Sequence, residues 1–279
     1  MASLARMGTT TRLYGTTKYT SHRYHDRLVS CLGNGHSISW FSSSVSASSS
    51  SSRPKKKPEL PSQANVVVVG GGIIGTSVAY HLGKLGIEDV VLLERDKLTS
   101  GTTWHAAGLM TTFGSLSSAS IDMRTYTKQL YSDILPHETG METGFLDVGF
   151  IELACDQDRL HYFKRVADFN RFLGIDVREI TADEVQTLFP LSTKDDILAG
   201  FYVPDDGRVN PTDATMALAK GAKQYGVSIF QDQQVLGVST TDPQDSGQPR
   251  CVKGVRVADP TNPDASIEIM SPIVVNCTG

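Results

Sequence analysis

The chain of 279 residues is poor in cysteine, in net positive charge and in long apolar runs. Its four cysteines (Cys31, Cys155, Cys251 and Cys277) lie far apart, with no metal-ligand spacing. That scatter argues against a disulfide scaffold or a zinc site and reads as reduced structural thiols. No apolar run reaches the roughly 18 residues of a membrane span. The formal net charge of −4 gives no electrostatic footprint for nucleic acid. Acid is nearly missing from one end: Met1 to Pro58 holds only Asp26, against Arg6, Arg12, Lys18, Arg23, Arg27, Arg53 and Lys55 to Lys57. Ser43 to Ser52 is almost all serine. An Arg- and Ser-rich, acid-poor start without a long apolar core predicts an organelle transit peptide over residues 1–60. Trp40-Phe41-Ser42-Ser43 resembles a mitochondrial processing site, so a mitochondrial address is expected, in the matrix, with plastid as the alternative. What remains, 39% hydrophobic, can bury a sizeable core.

The rest of the chain is organised around Asn65 to Leu109. Val66 to Val69 reads as a strand, a glycine turn and a helix to about Leu85 follow, and Val90 to Leu93 reads as a second strand ending in Glu94-Arg95. Gly70, Gly72 and Gly75 stand at G-x-G-x-x-G spacing, with Ile73 and Ile74 between the last two. Gly70 suits the tight turn, Gly72 a close approach of backbone to pyrophosphate, and Gly75 close packing of helix on sheet. The helix start offers free N–H groups and a positive dipole end to phosphate. Glu94 lies where a carboxylate accepts ribose hydroxyls and disfavours a 2′-phosphate. The pattern predicts a dinucleotide-binding βαβ unit that takes NAD or FAD.

Next comes Ser100-Gly101-Thr102-Thr103-Trp104-His105-Ala106-Ala107-Gly108-Leu109, small and hydroxyl residues against which a flat cofactor can lie. This run, with the glycine turn and Glu94-Arg95, resembles the sarcosine and dimethylglycine dehydrogenases, FAD enzymes of the D-amino-acid-oxidase-like superfamily. The resemblance implies an α/β fold, with a Rossmann-like FAD-binding domain over 61–279 and an antiparallel substrate-domain insertion at 145–205. It implies covalent FAD on His105, the match to the family's flavin-linked histidine. It also implies cofactor contacts at Gly70, Gly72, Ile73, Ile74, Gly75, Glu94 and Arg95, at Gly101, Thr102, Thr103, Trp104, Ala106, Ala107, Gly108 and Leu109, and at Val235 and Gly279. The activity implied is oxidative N-demethylation of a small N-methylated amino acid. Electrons would pass to an electron-transfer flavoprotein, and tetrahydrofolate would belong to a C-terminal part that this sequence does not include. No catalytic base is assigned.

The remaining chain reads coarsely. Ser115 to Leu135 is expected as a helix broken by Pro136, and Phe145 to Leu153 as a strand bent at Gly149. Asp156 to Phe172 has helical spacing, with Leu160, Phe163, Val166, Phe169 and Phe172 as a core stripe. Thr181 and Glu184 are spaced as a capping box. Asn210-Pro211 suits an N-cap and first helical position for a helix to about Tyr225. Strands are expected at Ile197–Val203, Val227–Phe230, Val235–Ser239, Cys251–Val257 and Ile267–Met270, with a polar turn at Asp242–Pro249. Asp205-Asp206 reads as a turn before the N-cap, and His137 and His161 show no partner. The apolar strand Pro272 to Gly279 resembles the one that returns to FAD in the superfamily, so an N-terminal fragment is expected. Competing readings are another amine or amino-acid oxidase of the superfamily, the regulatory subunit of pyruvate dehydrogenase phosphatase, which shares the architecture but lacks the histidine, and an NAD-dependent dehydrogenase, which leaves Thr99 to Leu109 unexplained.

Overall fold

The structure is a computed structural model that describes residues 59–241, 251–259 and 261–279. The expected transit segment and the polar turn after Thr241 lie outside the described residues. In chain order the elements begin β1 (Val66–Val69), α1 (Ile73–Lys84) and β2 (Val90–Leu93), then a 3₁₀ turn Thr102–His105, β3 (Leu109–Met110) and α2 (Ser118–Gln129). A π turn Leu130–Ile134, α3 (Leu135–Thr139), β4 (Phe150–Ala154), α4 (Gln157–Phe172), β5 (Arg178–Ile180) and α5 (Ala182–Leu188) follow. The last elements are β6 (Ala199–Val203), β7 (Gly207–Arg208), α6 (Pro211–Gln224), β8 (Ser228–Phe230), β9 (Val235–Thr240), β10 (Val252–Asp259), β11 (Asn262–Met270) and β12 (Ile273–Asn276).

The central sheet has the order β12-β1-β2-β8, with every pair parallel. β1 and β2 are unbroken apolar runs because both faces of the sheet are covered. Alternate residues serve the two sides. Val66, Val68, Val90 and Leu92 pack with Ala79 and Tyr80 of α1 and Ala217 and Leu218 of α6. Val67, Val69, Val91 and Leu93 pack with Val255 and Val257 of β10 and Ile269 of β11. The antiparallel sheet β9-β10-β11 thus roofs one face and the helices the other. α6 starts as its sequence predicts: Asn210 Oδ1 accepts from the N–H of Thr212 (3.0 Å) and Asp213 (3.3 Å), and Pro211 sits at the first helical position. Thr181 and Glu184 form the reciprocal capping box.

The segment from β4 to β6, together with Phe113, builds a second core. β4, β6 and β5 make an antiparallel sheet against which α4 packs, with Phe113, Phe163 and Phe201 at its centre. Phe113 and Phe201 stack with ring centres 5.9 Å apart. The expected stripe on α4 is corrected here. Phe163 and Val166 are buried, but so are Ala167 and Asn170, while Phe172 is 85% exposed. A strict three-residue step drifts off the face of a helix with 3.6 residues per turn, and the buried set follows i, i+3, i+4, i+7.

The break at Pro136 is also corrected, because the helical path runs on through it to Gly140. The Leu135 N–H reaches the Leu130 carbonyl, five residues back, through the π turn. Proline has no N–H to donate and its ring crowds the carbonyl four residues earlier, and the wider turn accommodates both effects. Gly140 closes α3 in the left-handed region (φ 63°).

Candidate dinucleotide site

A cleft of about 660 Å³ opens at the carboxyl ends of β1, β2 and β12, where a parallel sheet of this kind receives ligands. The glycine turn forms its floor. Gly70 takes φ 112°, and a Cβ there would stand 2.4 Å from the Cys277 carbonyl oxygen, so the turn is seated against the end of β12. A Cβ on Gly75 would stand 1.9 Å from the Gly70 carbonyl oxygen, which holds α1 tight to the strand. Gly72 begins α1 without a side-chain cap. The Ile73 N–H donates to Thr103 Oγ1 (3.0 Å) and the Thr99 N–H to the Gly71 carbonyl (3.2 Å). Residues 99–103 are therefore laid against the glycine turn.

Glu94 is fixed toward the same floor. Its Oε2 accepts from the Gly71 N–H (2.6 Å) and its Oε1 from the Asp96 N–H (2.9 Å). Each carboxylate oxygen keeps acceptor capacity beyond one bond. Burial raises the Cys277 thiol above its ordinary pKa, so the sulfur in the cleft wall stays protonated near neutral pH.

Of the residues expected at a cofactor, the cleft brings together Gly70, Gly72, Ile73, Ile74, Glu94, Arg95, Gly101, Thr102, Thr103, Ala106, Val235 and Gly279. Gly75, Trp104, His105, Ala107, Gly108 and Leu109 are not in its wall. Gly75 lies behind the floor. Gly108 (φ 73°) is packed on the Val209 carbonyl, 2.1 Å from where a Cβ would stand. Leu109 pairs with Arg208 and lines a separate cavity of about 360 Å³ beside Met110 and Arg124. Trp104 and His105 stand exposed on the rim, with ring centres 3.8 Å apart. His105 Nδ1 is 3.2 Å from the Gly101 carbonyl. A carbonyl only accepts, so this contact puts the proton on Nδ1 and leaves the lone pair on Nε2.

Sequence reasoning missed Gly71, Ser100, Gln233, Gln234, Asn276, Cys277 and Thr278 as cleft residues. For the last three, the strand that runs into Thr278-Gly279 was the available signal. Gln233 and Gln234 carry none. Asp206, read as part of a turn, is fully buried, and its two oxygens accept from the Thr112 N–H (2.7 Å) and hydroxyl (2.9 Å). It ties the irregular segment after β3 to the turn before β7. His137 lies 2.8 Å through Nδ1 from the Asp133 carbonyl, a local contact on the surface.

The groups present suit a dinucleotide: a helix start for phosphate at which Gly72 supplies no side-chain cap, and a carboxylate at the second strand end for ribose. A family model described as FAD dependent oxidoreductase matches residues 65–279. The chain belongs to the FAD-dependent oxidoreductase family. Human mitochondrial sarcosine dehydrogenase is 38% identical over 79% of this chain. The mitochondrial pyruvate dehydrogenase phosphatase regulatory subunit of mouse is 41% identical over 76%, and rat mitochondrial dimethylglycine dehydrogenase 42% over 63%. The chain spans 23%, 25% and 20% of those relatives' own lengths. Among solved structures, L-proline dehydrogenase from P. horikoshii superposes with a TM-score of 0.67 at 27% identity, covering 79% of this chain and 54% of the other. The α/β class expected from the sequence is therefore the fold of this FAD family.

Proposed function

We propose that this chain holds FAD in the cleft, covalently through His105, and is the cofactor-binding part of an enzyme that oxidises the N-methyl group of a small amino acid such as sarcosine or dimethylglycine. The observation that carries the reading is His105 itself: an exposed imidazole beside the cleft with its Nε2 lone pair free of the Gly101 contact. Its neighbours Thr103 and Ala106 line the cleft, so the ring stands at the edge of the space the cofactor would fill. FAD, when bound, supplies two-electron oxidation of a C–N bond. The protein's own groups bind and orient it. The start of α1 offers N–H groups to the pyrophosphate, Glu94 takes the ribose, and Thr103 keeps the 99–103 loop against the turn.

The cleft residues named above are assigned to FAD on these grounds. Arg95, Val235, Gly101, Thr102 and Ala106 are included because they line the cleft. Electrons would pass to an electron-transfer flavoprotein, and the address is the mitochondrial matrix, in keeping with the mitochondrial names of the relatives. Residues 145–205, which with Phe113 form a second core, are assigned to the substrate side. A second, non-enzymatic reading has one observation in its favour, the 41% identity to the phosphatase regulatory subunit.

Peptide mass spectrometry on native material separates the two. Trypsin releases Leu98 to Arg124, which contains His105. That peptide is expected to carry the mass of FAD. A yellow protein whose peptide is only unmodified would refute covalent attachment, and a colourless protein with unmodified peptide would support the regulatory reading.

A further inference from the structure

The 3₁₀ turn Thr102–His105 sends its side chains in different directions. With about three residues per turn, neighbours leave it roughly 120° apart and do not face each other. Thr103 goes inward: it is buried, and its Oγ1 accepts the Ile73 N–H at 3.0 Å. Trp104 and His105 stand exposed, yet their rings meet with centres 3.8 Å apart and planes tilted by 34°. The backbone does not impose that contact. Core packing does not impose it either, since Trp104 is 58% exposed. The indole therefore stacks on one face of the imidazole, while the Gly101 carbonyl, 3.2 Å from Nδ1, holds its edge. Together the two contacts restrain the ring in rotation and in tautomer, and neither uses the Nε2 lone pair. Trp104 was expected to touch the cofactor, but it lies outside the cleft wall and against His105.

We propose that Trp104 is the positioning residue for flavin attachment, its indole face holding the His105 imidazole so that Nε2 is ready to bond. The assignment rests on the covalent reading above and names the residue that prepares the nucleophile. In the attachment, Nε2 forms a bond to a ring-methyl carbon of the flavin. That methyl group gives up one hydrogen as a proton, and the imidazole releases its Nδ1 proton. The electron pair of the broken C–H bond goes to dioxygen, which takes both protons and leaves as hydrogen peroxide. Bond formation needs the reacting atoms about 3–3.5 Å apart with the lone pair aligned. An unrestrained surface imidazole divides its time among roughly three χ1 wells and two ring orientations. The indole removes most of that freedom, so its loss should slow attachment and leave reversible FAD binding unchanged.

The test measures the two steps separately. Protein made in riboflavin-starved cells is mixed with saturating FAD in air, samples are denatured over time, and the flavin fluorescence of the protein band is read after electrophoresis. Trp104→Leu keeps apolar bulk without a flat face, and is expected to attach FAD about threefold to tenfold more slowly than the parent. Trp104→Phe keeps an aromatic face and is expected at the parent's rate. Reversible binding is titrated calorimetrically into His105→Ala with and without Trp104→Leu, and the two are expected to bind FAD equally. Where Leu lowers the urea midpoint, Trp104→Gln takes its place with the same expectations. Leu at the parent's rate, Phe as slow as Leu, or weaker reversible binding in the Leu variant would overturn the assignment while leaving the covalent link intact. A parent that attaches no FAD would overturn the link and this assignment with it.

Discussion

Gly75→Ala tests the packing that shapes the cleft floor. The added Cβ would stand 1.9 Å from the Gly70 carbonyl oxygen, where real contacts stay beyond 3.0 Å. Either α1 or the turn must therefore move by about 1.1 Å, the gap between those two distances. Neither has room. Behind α1, Gly83 and Gly221 already meet Tyr225 and Tyr80 at 2.8 Å from their would-be Cβ positions, and Tyr80 is fully buried. Gly70 is held by its N–H bond to the Leu93 carbonyl (2.8 Å) and by the end of β12. Overpacking of this kind costs about 1–3 kcal/mol. Alanine regains up to about 1 kcal/mol of helix propensity. A contact this short with backbone puts the cost at the upper end, about 3 kcal/mol, so the expected net loss is about 2 kcal/mol, which lowers the melting temperature of a domain this size by about 4–8 °C. Urea unfolding of the ligand-free protein, followed by far-UV circular dichroism, measures it directly. The control is Gly101→Ala, where φ is −84° and nothing lies within 4 Å of the new Cβ. A Gly75→Ala midpoint equal to or above the parent's would refute the argument that α1 is wedged.

The same Gly101→Ala variant should keep the parent's midpoint yet weaken FAD, since Gly101 lines the cleft, and unchanged FAD affinity would show that the cofactor does not pass there. His105→Ala should unfold within about 0.5 kcal/mol of the parent, as exposed positions do, and should release its flavin on acid precipitation, and yellow precipitate would sink the covalent link. Asp206→Ala strands the buried Thr112 N–H and hydroxyl, and should cost about 2–4 kcal/mol in urea. Glu138 gathers Lys84 (2.6 Å), Tyr80 (2.6 Å) and Tyr225 (3.1 Å). Burial works to raise its pKa, but the bonds from Lys84 and Tyr80 outweigh it and hold the carboxyl below its ordinary 4.5. A pKa depressed in the folded state adds stability above the unfolded value and loses it as the pH falls through the folded one. Glu138→Gln should therefore cost about 1–2 kcal/mol at pH 7, with the difference shrinking as the pH is taken below 4.5. At the alkaline end, burial and then the Glu138 bond push Tyr80 to about 12, so the stability it contributes is present below pH 10 and fades as the pH rises from 10 through 12.

Much of this architecture is local enough to read in the chain. The glycine spacing, the two apolar strands and Glu94 sit within thirty residues and form one βαβ unit. The caps at Thr181 and Asn210 are short-range hydrogen-bond patterns, and both form as expected. Two local readings failed for physical reasons. Pro136 is carried by a π turn, and Phe172 lies off the buried face because helical phase drifts from a three-residue step.

By itself the sequence determined the class of fold, the turn that can face a pyrophosphate and the histidine that the FAD reading depends on. Only the tertiary structure decided what closes the cleft. Gln233, Gln234 and Asn276 to Gly279 lie more than a hundred residues from the glycine turn and reach it because β12 pairs with β1 and β8 with β2. Strand order is set by the packing of whole layers, and no short window of residues encodes it. An unpaired oxygen such as that of Gln233 is likewise invisible in sequence, since whether a glutamine is satisfied depends on every atom folded around it.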